Sequence, residues 1–139
     1  MKEGAEGMMT LGKNNKKLKL TESQEQIQIF EWAALMVNKI PELAELWHCP
    51  NGSHRHKAVA AKLRREGVKA GIPDIFLLVP KNGFHGLAIE LKANGKHPTK
   101  AQKEWLERLV KNGYLAVVCH GFEDARDMIL DYLNEKLPP

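Results

Sequence analysis

The chain has 139 residues, 43% of them hydrophobic, and carries 21 Lys and Arg against 17 Asp and Glu, for a net charge of +4 and a pI near 9.1. That length suits one ordinary domain that buries a core without staples, and the mild positive balance suits a polyanionic partner. Two separated cysteines, Cys49 and Cys119, exclude a disulfide scaffold and point to a reducing compartment. No apolar run reaches the ~18 residues needed to span a bilayer, and no export signal is visible at the start, so the expectation is a soluble protein of a bacterial cytoplasm, or of a host cytoplasm for a phage protein.

Residues 1–20 combine Gly, Asn and Lys without apolar periodicity and read as a flexible basic tail, leaving residues 21–139 as a single domain. From Thr21 the pattern becomes helical. Thr21 and Gln24 have the spacing of a capping box, and Ile29, Trp32, Ala33, Met36, Val37 and Ile40 recur on one stripe as far as Pro41. Glu25 precedes Ile29 by four residues and so falls on that inward stripe, where an unpaired carboxylate would be costly.

A short apolar segment, LAELWHCP, leads into a polar loop and a short basic helix closed by Gly67. Between His54 and Lys69 stand six basic residues, Arg55, Lys57, Lys62, Arg64, Arg65 and Lys69, and a single acid, Glu66. So one-sided a stretch reads as a phosphate-tracking surface that binds DNA without reading bases. His48, Cys49, His54 and His56 are crowded but lack a paired Cys-x-x-Cys, so no zinc site is read from them. Trp32, Trp47 and Trp105 lie on apolar stripes or runs and are expected in the core.

IFLLV and GLAIEL read as strands joined by a turn at Lys81, Asn82 and Gly83. PTKAQKEWLERLVKNG then forms a helix with a second capping box, Thr99 and Gln102, and Gly113 as its stop; YLAVVCH is a further strand and FEDARDMILDYLNEKL a closing helix. Strands alternating with helices, with one hairpin, give an α/β sandwich in which helices flank a mixed central sheet.

The hairpin carries the chemistry. Glu90 and Lys92 alternate along one strand and share a face, about 7 Å apart. A three-residue loop with Gly83 in the left-handed region sets Pro80 opposite Phe84 and hence Asp74 opposite Glu90; a two-residue Asn-Gly turn would shift the register by one and turn Asp74 away. Opposed carboxylates about 4 Å apart repel by roughly 4 kcal/mol at an effective dielectric near 20, and a divalent cation offsets that. Oxygen ligands of this kind suit Mg²⁺ or Mn²⁺. A water on such an ion, with Lys92 beside it, can attack a phosphodiester.

Pro73-Asp74 followed by Glu90-Leu91-Lys92 resembles the signature of the PD-(D/E)XK nucleases. The wider series QEQIQIFEWAAL, CPNG, GVKAGIPDIFLLVPKNGFHGLAIELK, TKAQKEWLERLVKNGY and VCHGFEDARDMILDYL is similar to the short, stand-alone VRR-NUC family over residues 22–135. The resemblance implies a restriction-endonuclease-like fold and metal-dependent DNA hydrolysis. It implies Asp74, Glu90 and the Leu91 carbonyl as metal ligands, with Lys92 orienting the water. Glu25 becomes an acidic ligand from the first helix and Gln102 a supporting polar residue. It further implies a homodimer that nicks branched DNA in the manner of a Holliday junction resolvase, with no organic cofactor and no membrane partner. Ser53-His54 after Asn51-Gly52 departs from the family pattern, where a further Gly is expected. A non-cutting DNA-binding or partner-binding module and a restriction-type duplex endonuclease are the alternatives.

Overall fold

A computed structural model describes residues 18–50 and 56–137. The first helix, α1 (Glu22–Met36), opens with the expected box: Thr21 Oγ1 accepts from the Gln24 N–H at 3.2 Å, and Gln24 Oε1 accepts from the Thr21 N–H at 2.9 Å. Pro41 starts a 3-10 turn to Glu45, which delivers the chain into β1 (Leu46–His48). The three residues of β1 lie inside the segment LAELWHCP, where no strand was expected. Too short for alternation to register, β1 becomes visible only through its pairing with β2.

The basic helix α2 (Lys57–Arg65) buries none of its residues and ends at Gly67, whose φ is 104°. Next come β2 (Ile75–Leu77), β3 (Leu87–Lys92), α3 (Lys100–Lys111), β4 (Leu115–His120) and α4 (Gly121–Leu133). The Thr99 and Gln102 box caps α3 as expected. The four strands form one sheet in the order β1-β2-β3-β4, antiparallel except for the parallel pair β3 and β4. The expected α/β architecture with a mixed sheet is therefore the one observed.

The hairpin reaches the expected register by a different turn. Asn82 and Gly83 both have positive φ, 53° and 80°, and Lys81 bridges Phe84, so the turn has two residues. Continued unchanged, that turn would shift every pair by one. Three residues, Leu78 to Pro80, stand against two, His85 and Gly86, and this irregularity restores Ile75 opposite Ile89 and Leu77 opposite Leu87. It also shortens β2, which ends at Leu77 instead of running to Val79. Tyr132, fully buried in α4, pins the turn: its hydroxyl donates to the Val79 carbonyl and accepts from the Lys81 N–H, while its own carbonyl accepts from Asn82 Nδ2 at 3.0 Å.

One sheet face carries Ile75, Leu77, Leu87, Ile89, Leu91 and Cys119 into a core with Ile29 and Ala33 of α1 and Ala125, Ile129 and Tyr132 of α4. Burial pushes the Cys119 thiol up to about 12, with a smaller contribution from the nearby Asp124 charge, and leaves it an inert apolar filler as expected. The opposite face is covered by α3 over β3 and β4. The expected tail over residues 1–20 lies outside the described residues as far as residue 17.

Candidate active site

The register carries Asp74, one residue before β2, to a position opposite Glu90. The Asp74 side chain prolongs the ladder beyond the end of β2, with Oδ2 accepting from the Leu91 N–H at 2.8 Å. Two residues further along β3 from Glu90, Lys92 turns its ammonium back, leaving Nζ 3.5 Å from Glu90 Oε1. Asp74, Glu90 and Lys92 are thus brought together at the end of the sheet where the parallel strands β3 and β4 finish, a common place for sites in α/β proteins.

The electrostatics of this group are unusual. Glu90 is only 1% exposed, the one charged residue among the buried side chains of the described residues, and among those residues its Oε2 finds no hydrogen-bond donor. Burial first, and the neighbouring Asp74 charge second, push the Glu90 carboxyl up to about 8, against an opposing pull from Lys92. Asp74 is also raised, chiefly by burial, with the Leu91 hydrogen bond and the charges of His48 and Lys92 opposing and Glu22 adding to the rise. The pair therefore retains a proton, or an equivalent positive charge, near neutral pH.

The first helix carries two acids near this end of the sheet, Glu25, expected as a ligand, and Glu22. Glu25 Oε2 accepts from the Phe122 N–H at 2.6 Å and so caps the N-terminus of α4, where His120 offers no side-chain cap. Gly121 supplies the left-handed φ of 86° at which the chain enters α4, and the Glu25 carboxylate lies at ordinary contact distance, 3.4 Å, from where a Cβ would stand. The inward placement of Glu25 thus has a structural cause. Glu22, one turn earlier, is the α1 acid whose charge acts on Asp74, and its Oε1 accepts from the Ala93 N–H, one residue past Lys92, at 3.2 Å. Both acids lie on one helical stripe, and sequence spacing does not separate them.

His48 and Cys49 also join the site's margin. The Asp74 carbonyl accepts from the Cys49 N–H at 2.8 Å and from His48 Nδ1 at 2.8 Å; because a carbonyl can only accept, Nδ1 carries the proton. The two are crowded in the sequence, and the pairing of β1 with β2 brings both to the Asp74 carbonyl. Gln102 uses its side-chain oxygen in the α3 cap, accepting from the Thr99 N–H at 2.8 Å. Trp47 departs from the expected core placement: it is 43% exposed and stacks on Phe76, with ring centroids 5.0 Å apart.

Among the described residues no three of His, Cys, Asp and Glu converge into a closed metal cage. That is the normal condition for Mg²⁺, which holds most of its waters and takes one or two protein carboxylates plus substrate oxygens. The donorless Glu90 Oε2 beside Asp74 fits that role, and the all-oxygen set fits a hard ion.

Of the basic residues expected on DNA, Lys57, Lys62, Arg64, Arg65 and Lys69 are all exposed, and Arg55 lies outside the described residues. Among the described residues of this segment, Lys62 alone has an ion-pair partner, Glu66 at 3.6 Å. A separate cleft of about 1170 Å³ opens between α1, the loop after β3 and the start of α4, lined by Glu25, Gln28, Asn94, His120 and Asp124 among others. It includes neither Asp74 nor Glu90. No helix among the described residues is long and apolar enough to cross a membrane.

The sequence model of the VRR-NUC domain matches residues 16–123, beginning inside the segment expected to be tail. A solved structure of a VRR_NUC domain protein is similar over 83% of this chain and 89% of its own, at 35% identity and a TM-score of 0.71. No curated protein matches this chain.

Proposed function

Because this chain belongs to the VRR-NUC domain family and so has a nuclease-type function with DNA as substrate, we propose that it is a metal-dependent, structure-selective endonuclease acting on branched DNA. One observation carries the chemistry: Asp74 stands opposite Glu90, whose buried Oε2 lacks a donor, with Lys92 Nζ 3.5 Å from the other oxygen.

Asp74 and Glu90 would hold Mg²⁺ or Mn²⁺, with the Leu91 carbonyl as a further ligand and Glu22 adding negative potential from α1. When bound, such an ion supplies a coordinated water of lowered pKa and positive charge for the phosphate oxygens. Lys92 orients the attacking water through Nζ and offsets the negative charge that develops on the phosphate. The Leu91 N–H holds Asp74 in place by fixing one oxygen of its carboxylate. Buried walls around Glu90 keep bulk water from screening these charges. On this reading Glu25 and Gln102 support the site by fixing the starts of α4 and α3.

The exposed lysines and arginines of α2 and Lys69 would track phosphates, giving affinity that falls with salt and ignores base sequence. Resolution of a four-way junction needs two symmetric nicks, so the acting species would be a homodimer. The test is cleavage of a labelled four-way junction beside a linear duplex of the same arms, with Mg²⁺, Mn²⁺ or EDTA, for wild type and Lys92→Ala. Paired, metal-dependent nicks in the junction alone, lost in the variant while binding persists, are expected. Binding without cutting under every metal would make the chain a DNA-gripping module, and equal cutting of the linear duplex would make it a restriction-type enzyme.

A further inference from the structure

Trp47 is anomalous. It is a large aromatic on an edge strand, 43% exposed, yet its ring lies at 18° to that of Phe76 with centroids 5.0 Å apart. Rings that close and near-parallel lie face to face, each covering one face of the other, and 43% of Trp47 remains exposed to solvent.

Its position relates it to the carboxylates. Trp47 pairs directly with Phe76, and Phe76 with the fully buried Ala88, so all three share the sheet face that carries Glu90. Glu90 follows Ala88 by two residues and Asp74 precedes Phe76 by two, which sets the platform about 7 Å along the strands from the carboxylate pair. The helix α3 packs over β3 and β4. The basic helix α2 is the element that follows β1 in chain order.

We propose that the Trp47 and Phe76 rings form a stacking platform for an unpaired base of the cleaved DNA strand, adjacent to the scissile phosphate. The inference rests on the nuclease reading and deepens it by naming the feature of branched DNA that the site selects. A paired, stacked base has both faces covered and gains nothing from the platform. A base freed at a branch point has an open π-face, and stacking on an aromatic side chain is favourable and indifferent to base identity. The spacing of one nucleotide between platform and carboxylates lets a single residue of DNA place its phosphate at the site and its base on the rings. A base is favoured over a second copy of the chain because the rings share the sheet face of the carboxylates and the element after β1 in chain order carries exposed cations.

The test is a coupling measurement made in EDTA, so that it reads binding alone. Affinities are compared for a branched oligonucleotide with one unpaired nucleotide at the branch and for the same molecule with an abasic residue there. Trp47→Ala is expected to weaken binding of the first by about 10- to 100-fold. Wild type should lose a similar factor on the abasic molecule, and Trp47→Ala should lose nothing more. Trp47→Phe should retain most of the affinity, and Trp47→Leu, which keeps apolar bulk for folding, should behave as Trp47→Ala. Equal losses on both molecules, or none, overturn the proposal. A change from dimer to monomer by light scattering, with no base dependence, would instead assign the rings to contact between copies. Base-dependent coupling in a protein that cuts under no metal would sink the nuclease reading and leave the platform standing. Cutting without coupling would do the reverse.

Discussion

Glu90 Oε1 lies 3.5 Å from Lys92 Nζ, while Glu90 Oε2, on the same carboxyl, is buried without a donor. One side chain thus has a satisfied oxygen and a starved one, a condition that costs stability and that a folded protein tolerates where another group completes it.

The first consequence is a stability that depends on pH in an unusual direction. The folded Glu90 carboxyl is raised from 4.5 to about 8, so the native state holds a proton that the unfolded chain has released. Stability from this proton is full below pH 4.5 and is lost as pH rises toward 8. Thermal melts of metal-free protein between pH 5 and 8 should show Tm falling by on the order of 5 °C through this group. Glu90→Gln should flatten that dependence and melt higher than wild type at pH 8, while losing cleavage. If Mg²⁺ or Mn²⁺ raises the wild-type Tm at pH 8 and not that of Glu90→Gln, the ion acts through this carboxyl.

Lys92 contributes to rate more than to folding. Lys92→Ala should reduce cleavage by about 10²- to 10⁴-fold, the range for removing a group that positions or activates the attacking water. Binding of junction DNA in EDTA should change by less than 10-fold. A variant that cuts within 10-fold of wild type would remove Lys92 from the chemistry.

Glu22 and Glu25 should separate cleanly. Loss of the α4 cap in Glu25→Ala should cost about 1–2 kcal/mol, read as a lower Tm or denaturant midpoint. Glu22→Gln keeps a hydrogen-bond acceptor for the Ala93 N–H, so its Tm should hold, while the metal concentration needed for half-maximal cleavage changes. The opposite pattern would return the site role to Glu25.

Binding should be strongly salt-dependent. Arg64→Ala and Arg65→Ala should each weaken binding uniformly across DNA sequences and lower the slope of log affinity against log salt by about 1. An unchanged slope would place the exposed face of α2 away from the DNA.

Much of this site was legible before any coordinates, because strand alternation is local. A period of two sets Glu90 and Lys92 on one face whatever surrounds them, and the Thr-x-x-Gln boxes at Thr21 and Thr99 close within a single turn. The register of Asp74 is a partial case. The expected pairing with Glu90 holds, yet it is reached by an Asn82-Gly83 turn of two residues plus a compensating irregularity, and no local rule announces that the two will cancel.

Sequence alone determined that an acid, a second acid and a lysine would meet at the hairpin's open end, because backbone geometry imposes that meeting over short distances. Tertiary structure decided where the two α1 acids reach, since Glu22 and Glu25 sit on one stripe and the start of α4, arriving from nearly a hundred residues away, takes Glu25 as its cap. It also decided that Trp47, apolar and expected inside, would stand half open at the sheet's edge. Burial depends on which strands and helices cover a residue, and for β1 that covering is incomplete.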